Sequence, residues 1–475
     1  MVTLHDLTAL EQARRIAAGE LASVALVEHY LDRIAQVDGM ISSFVERTAD
    51  RALSRAAEVD VAAERGAALG PLAGVPTAFK DLEATAGVPT KLGSLAFADN
   101  VPDHDDSVVA RVERAGMVSL GKTATPELGG PAYTESRLGP PTCCPWDVRK
   151  NAGGSSGGTG AAIAAGLVPL GVGSDGGGSI RIPASINGIV GLKVARDRVS
   201  RGRGGADLVG LAQRGPMART VADAAALLDV IAGAEPGDAH CAPGLPAGET
   251  FLAATRRAPA RLRIGRTLGN IFDSPVHPDC VAAWERASQV LAGLGHDIVD
   301  IDLPVDEPLL PHFRIVWTSA FAAVDVPGDR EHLLTPYTAM MRDAGRRHSA
   351  PDYVRAVAKL QIAARSYVQA TNSFDVVLTP SLAQPPADNG ELRNDRDPER
   401  DFLDQCAFTP FTSLYNLTGQ PAISLPLHWD DAGLPIGVQL VGKPWGESPL
   451  LSLAAQVEEA SPWADRHPPC WELSR

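Results

Sequence analysis

The stretch that decides the reading is Gly153–Ser179, GGSSGGTGAAIAAGLVPLGVGSDGGGS. It holds eleven glycines and four serines in 27 residues, and no histidine. So much glycine costs backbone entropy unless tight turns or close backbone approach require it. Two polar loops, Gly153–Gly160 and Gly173–Ser179, flank an apolar run, Ala161–Val172. The run predicts a helix over Thr159–Ala165 and then a buried strand over Leu167–Val172. Each loop offers hydroxyls and free backbone N–H groups, the parts from which a site for a developing negative charge is built. Ser179 reads as a nucleophile, with an oxyanion hole formed by the N–H groups of the glycines before it.

A serine nucleophile needs a base. Histidine is the usual one, but none lies between His104 and His240. A neutral lysine serves when its pKa is lowered. Lys80 stands in GVPTAFKDL, residues 74–82. There Val75–Phe79 predicts a short strand that delivers Lys80 at its end. A lysine after an apolar run is more often a solvated strand end. The serine-rich core downstream is what favours the base.

Two other patterns compete. Gly153–Gly157 fits GxSxG, which would make Ser155 the nucleophile of a Ser-His-Asp esterase. His277, His296 and His428 are its candidate bases, although each reads more simply as a satisfied or exposed histidine. Gly116–Thr123, GMVSLGKT, fits the phosphate-loop pattern GxxxxGK[ST]. That loop must follow a strand and open a helix. Here Asp106–Ala115 predicts a helix, Met117–Leu120 a strand inside the would-be loop, and Pro126 disturbs the helix that should come next. The order argues against nucleotide binding.

Longer motifs carry a family resemblance. They are GVPTAFKD (74–81), GKTATPELG (121–129), GGSSGG (153–158), SDGGGSIRIPAS (174–185), GLK (191–193), NLTGQPAISLP (416–426) and GLPIGVQLVG (433–442). With them the chain resembles the amidase signature family, hydrolases of C–N bonds, over roughly 65–230 and 405–460. The resemblance implies one α/β domain, a mixed sheet of about ten strands covered by helices on both faces. Its parts would be N-terminal helices (1–65), a catalytic core (66–235), a variable substrate-selecting region (236–404) and C-terminal core strands with a helix (405–475).

The resemblance also implies roles. Ser179, 24 positions after Ser155, matches the nucleophile, Ser155 the bridging serine after a cis peptide bond, and Lys80 the base. The N–H groups of Gly176, Gly177, Gly178 and Ser179 match the oxyanion hole. Ser156, Asp175 and Arg181 match residues that support the loops. No metal or cofactor is implied. The sequence departs from the family at Cys144-Pro145-Trp146-Asp147, where Asn often stands first, and at Val194-Ala195 after GLK. Its context is nearest to members that cleave 6-aminohexanoate cyclic dimer and to urethane-cleaving relatives. The A subunit of a glutamyl-tRNA amidotransferase also resembles this core.

Composition bounds the rest. The 475 residues are 45% hydrophobic and 21% charged, as in a globular protein. The net charge of −14 argues against nucleic acid or an acidic membrane surface as partner. No secretory signal or 18-residue apolar run is evident, so the cytoplasm is the expected compartment. Six cysteines suggest no disulfide framework. The expected partner is a small amide or carbamate. The sequence leaves the oligomeric state open, a homodimer included.

Along the chain, apolar positions at three-four spacing predict two helices over 4–37, broken near Gly19, and Glu46–Arg65 predicts a third. The proline- and glycine-rich run 236–257 reads as a loop. Leu262–Arg266, Asp279–Leu294 and His296–Ile301 predict a β-α-β unit at the sheet edge. Pro311–Val324 and Tyr353–Asn372 predict helices, and Phe374–Pro380 a returning strand. Pro385–Asp401 reads as a polar loop. Trp317, Phe321, Tyr337 and Met341 are candidates to line the substrate pocket. Ile423–Pro426 and Ile436–Val441 predict paired strands, and Pro449–Glu459 a closing helix. Asn416-Leu-Thr418 fits a glycosylation acceptor without a secretion signal to support it.

Overall fold

A computed structural model of the chain describes residues 3–202, 209–302 and 308–473. Residues 203–208, in the expected catalytic core, and 303–307, in the expected variable region 236–404, lie outside them. The strands are β1 Phe44–Arg47, β2 Pro76–Lys80, β3 Val118–Thr123, β4 Cys143–Cys144, β5 Asp147–Asn151, β6 Leu170–Asp175 and β7 Val190–Lys193. They continue with β8 Gln213–Ala218, β9 Arg263–Arg266, β10 Asp297–Asp300, β11 Val376–Pro380, β12 Ala422–Trp429 and β13 Pro435–Val441. The helices are α1 Ala9–Ala17, α2 Ser23–Ile41, α3 Ala49–Glu64, α4 Ser107–Arg114, α5 Gly157–Ala164, α6 Arg181–Asn187, α7 Val221–Ile231 and α8 Phe251–Ala254. After them come α9 Pro278–Gly293, α10 Leu310–Ala322, α11 Pro336–Arg346, α12 Ala350–Ala370, α13 Pro398–Phe408, α14 Ser413–Thr418 and α15 Glu447–Ala460.

Among the described residues, eleven strands form one mixed sheet in the order β1-β3-β2-β6-β8-β7-β12-β13-β11-β9-β10. β4 and β5 pair separately. Alternation along each strand sends side chains to opposite faces. Phe79, Leu170, Val172 and Ala218 enter a core built with α1, α4, α7, α9 and α15. Ala78, Leu120 and Met217 enter the other, built with α2, α3, α5 and α6. Helices therefore cover both faces. Lys80 shares the parity of Ala78, so it leaves the sheet on the side of α5.

The chain's first and last described turns meet on this frame. Trp471 Nε1 donates to Asp6 Oδ1 at 2.9 Å. Its indole stacks on His467 at 4.0 Å and meets His5 edge-on at 5.0 Å. The Arg219 guanidinium lies 4.6 Å from the same ring.

The elements expected in the chain's apolar segments are present, with shifted ends. Gly166, at φ +66, and Pro169 delay β6 to Leu170, and β6 runs on through Asp175. The helix expected over Glu46–Arg65 gives up its start to β1, which pairs antiparallel with β3. β1, β4, β5, β7, β8, α6, α8, α11, α13 and α14 were not foreseen. α13 corrects the expected loop Pro385–Asp401: Asp397 accepts from the Arg400 N–H and Pro398 opens the helix.

Candidate active site

Two segments bring hydroxyls around a lysine delivered by a third. β2 delivers Lys80 at its end. The turn before α5 carries Ser155 and Ser156, and the end of β6 carries Ser174. Lys80 Nζ lies 2.7 Å from Ser155 Oγ, 3.0 Å from Ser156 Oγ and 2.9 Å from Ser174 Oγ. Lys80 is fully buried. Burial lowers its pKa to about 7, with Arg214 acting in the same direction and Glu83 and Asp175 opposing. Ser174 escaped the sequence reading. Its only signal is its place beside Asp175 in the quoted stretch.

The peptide between Gly154 and Ser155 is cis. Ser156 ties the two loops together. Its N–H donates to Ser179 O at 3.1 Å, and its Oγ lies 3.2 Å from Ser174 O.

Ser179 stands between Gly178 and α6, 7% exposed, and lines a cavity. Among the described residues its Oγ makes no side-chain hydrogen bond. The four expected oxyanion donors divide. The N–H groups of Gly176, Gly177 and Ser179 have no acceptor among the described residues. The Gly178 N–H donates to Asp175 Oδ1 at 2.8 Å. Of the four expected donors, Gly178 thus has its N–H engaged within the loop in this structure.

Asp175 and Arg181 form that support, and both are fully buried. Arg181 donates to the Asp175 carboxylate through Nε at 2.9 Å and Nη2 at 2.8 Å. Arg181 also reaches Thr412 O, Gln439 Oε1 and Asn416 Oδ1. Burial pushes the Asp175 carboxyl up, but the Arg181 charge and the hydrogen bonds outweigh it and hold it near 2. Asn416 Nδ2 donates to Asp175 Oδ1 at 2.9 Å. Asn416 is thus a buried clamp on the loop rather than an exposed glycan acceptor. Thr412 Oγ1 donates to Gly177 O at 2.6 Å and fixes that peptide. The departure at Cys144–Asp147 lies against α6, where Trp146 Nε1 donates to Asn187 O at 2.9 Å.

The cavity beside Ser179 holds about 490 Å³, counting space open to solvent. Of the aromatic candidates, Trp317 and Tyr337 line it. Phe321 and Met341 are not among the described lining residues and pack in a cluster with Tyr337 and Phe402.

The competing motifs lose their chemistry. His296 accepts from the Leu262 N–H and meets Gln456, and His277 caps α9. His428 sits on β12. Among the described residues no histidine hydrogen-bonds Ser155 or Ser179. Lys122, of the phosphate-loop pattern, is in β3 and is held by Glu83 O and Thr85 Oγ1. Among the described residues no three His, Cys, Asp or Glu side chains group so as to hold a metal ion. Nor is any described helix long and apolar enough to cross a membrane.

Comparison with known proteins identifies the family. The Amidase family model matches residues 25–451. A putative amidase, AmiB2, of Mycobacterium tuberculosis is 38% identical over 471 residues, 97% of each chain. The A subunit of the glutamyl-tRNA(Gln) amidotransferase of Moorella thermoacetica is 35% identical over 492 residues, 98% of each chain. A solved structure of 6-aminohexanoate cyclic dimer hydrolase complexed with substrate superposes with a TM-score of 0.92 at 32% identity, covering 99% of this chain and 100% of that one. The chain therefore belongs to the amidase signature family, hydrolases that act on amides.

Proposed function

We propose that the chain hydrolyses the C–N bond of a small amide through Lys80, Ser155 and Ser179. Neutral Lys80 takes a proton from Ser155, which takes one from Ser179. Ser179 Oγ then attacks the carbonyl carbon, and the N–H groups of Gly176, Gly177 and Ser179 hold the oxyanion. The same relay returns the proton to the leaving nitrogen, which departs poorly as an anion. Water next attacks the acyl-enzyme, giving its proton to the relay and releasing the acid. Carbamates, anilides and esters present the same carbonyl to the same groups. The enzyme works without metal or cofactor, in the cytoplasm, as a monomer or homodimer.

The observation that carries this reading is a fully buried lysine with a pKa near 7 whose Nζ lies 2.7 Å from Ser155 Oγ. A general base works best when its pKa is near the operating pH. Ser179→Ala and Lys80→Ala should each lower kcat on a simple amide by about 1,000-fold or more. Circular dichroism should show the fold retained. Wild-type kcat in Ser179→Ala would overturn the assignment.

A second reading, the A subunit of an amidotransferase, draws on the 35% identity to one such protein. Turnover of simple amides by the isolated chain decides between them, since that reading requires the rest of a complex.

A further inference from the structure

We propose that the substrate is an uncharged amide bearing an aromatic ring beside the scissile group, and that Trp317 selects the ring. This rests on the reading that Ser179 attacks the carbonyl.

The first observation is position. An ideal Cβ on Gly176 would stand 3.4 Å from Trp317 Cζ3 and 3.5 Å from its Cη2. The six-membered ring of the indole therefore lies against the loop whose N–H groups would hold the oxyanion. With a carbonyl oxygen on Gly176 and Gly177 and its carbon on Ser179 Oγ, a substituent directed into the cavity meets that ring. Phe313, which also lines the cavity, stacks on Trp317, its centroid 5.4 Å from that of Trp317 with 19° between planes. The cavity wall also includes Phe272, Tyr337 and Phe402. Such walls favour a flat apolar group, by ring-on-ring packing beyond the area covered.

The second observation is charge. None of the described residues lining the cavity is Asp, Glu, Lys, Arg or His. Its polar side chains are mostly engaged with the protein. Gln405 accepts from the Ala132 N–H at 2.7 Å and donates to Asp401, and Thr409 Oγ1 donates to Gln405 O at 2.8 Å. Ser413 keeps a buried hydroxyl without a partner. A charged substituent would lose its water here and meet no opposite charge.

The third observation is support. Phe321 Cζ would lie 2.2 Å from a Cβ at Gly130. The aromatic row of α10 thus seats at one end on the Gly176 loop and at the other on the turn beside Ser155. Gly129 borders Ser155 Oγ, which a Cβ there would approach to 3.5 Å. Trp317 is held against the Gly176 loop, and Phe321, one turn on, against the turn that borders Ser155.

The test is calorimetric binding to the full-length Ser179→Ala protein, which reads recognition whether or not Ser179 is the nucleophile. Phenylacetamide and acetanilide place the ring on the acyl and amine sides; cyclohexylacetamide and N-cyclohexylacetamide are their counterparts. In at least one pair the aromatic member should bind about 5-fold tighter. A para-carboxylate on the preferred ring should weaken binding about 10-fold or more. Adding Trp317→Ala should erase the ring preference, and Trp317→Phe should restore most of it. Equal affinity in both pairs, a charged ring bound as well as the neutral one, or a preference that survives Trp317→Ala would overturn the proposal. Failure of the nucleophile assignment would show separately, as turnover by Ser179→Ala.

Discussion

Burial makes Lys80 costly to leave charged, and the charges around it adjust that cost. Glu83, 1% exposed, lies near it and favours the ammonium, while Arg214 disfavours it. The two are themselves paired, Arg214 Nε to Glu83 Oε2 at 3.0 Å. Arg214→Gln removes a cation and leaves the Glu83 charge uncompensated, so both effects raise the Lys80 pKa. On the proposed mechanism the base must be neutral, so activity rises with pH through about 7. In Arg214→Gln that acid limb should move to higher pH, read from kcat/KM profiles; an unmoved limb would separate Arg214 from the base. Lys80 and Ser179 could be picked out from their strand-end and glycine-rich contexts, and Ser155 as their partner only through the family resemblance. Arg214, Ser174 and Asn416 could not. They reach the site through pairing of β6 with β8 and through packing of α14, which local pattern does not contain.

At the scale of elements, α5 is the part that places Ser155 and Ser156. It sits so close to the chain that Gly158 has no room for a side chain. An added Cβ would fall 2.3 Å from Ala124 N and 2.7 Å from Ser43 O. These are backbone atoms and cannot step aside. Gly158→Ala should lower unfolding free energy by about 2 kcal/mol or more, measured by urea denaturation. A change within about 0.5 kcal/mol would mean that the helix can shift. The same closeness explains the density of glycine that first drew attention to this stretch. What the sequence concealed at this scale were short strands with charged or glycine-rich faces, such as β1 and β7, and α13. The helix signals of α13 were Asp397 as cap, Pro398 at its start, and Glu399 and Asp401 in its first turn. They were masked by the polar run before it.

Over the whole molecule, the contact between the two ends makes stability depend on acid. Burial, together with Arg33 and His29, lowers the His5 pKa from 6.5 to about 3. Between those values the unfolded chain binds a proton that the folded chain refuses. Stability contributed at this site is therefore full above 6.5 and falls as pH drops toward 3. By about pH 4.5 the loss should be about 2–3 kcal/mol. Comparison of wild type with His5→Asn isolates this slope from that of other groups, and identical slopes would refute it. The sheet was legible in class and in approximate strand number, since apolar runs and family motifs alternate along the chain. Its order was not, because β8 inserts between β6 and β7, and β7 then pairs with β12, far from it in sequence.

At the far edge of the sheet, β10 and β11 flank β9, which pairs parallel with each. The described residues between them in the chain, α10 to α12 with Trp317 included, lie outside the sheet, which the chain rejoins two strands away. Both stems are thus anchored in the same rigid frame, about 10 Å apart. The segment behaves as a cassette. Exchanged whole between relatives, it could carry a new choice of substrate while the hydroxyls and the lysine across the sheet stay where they are.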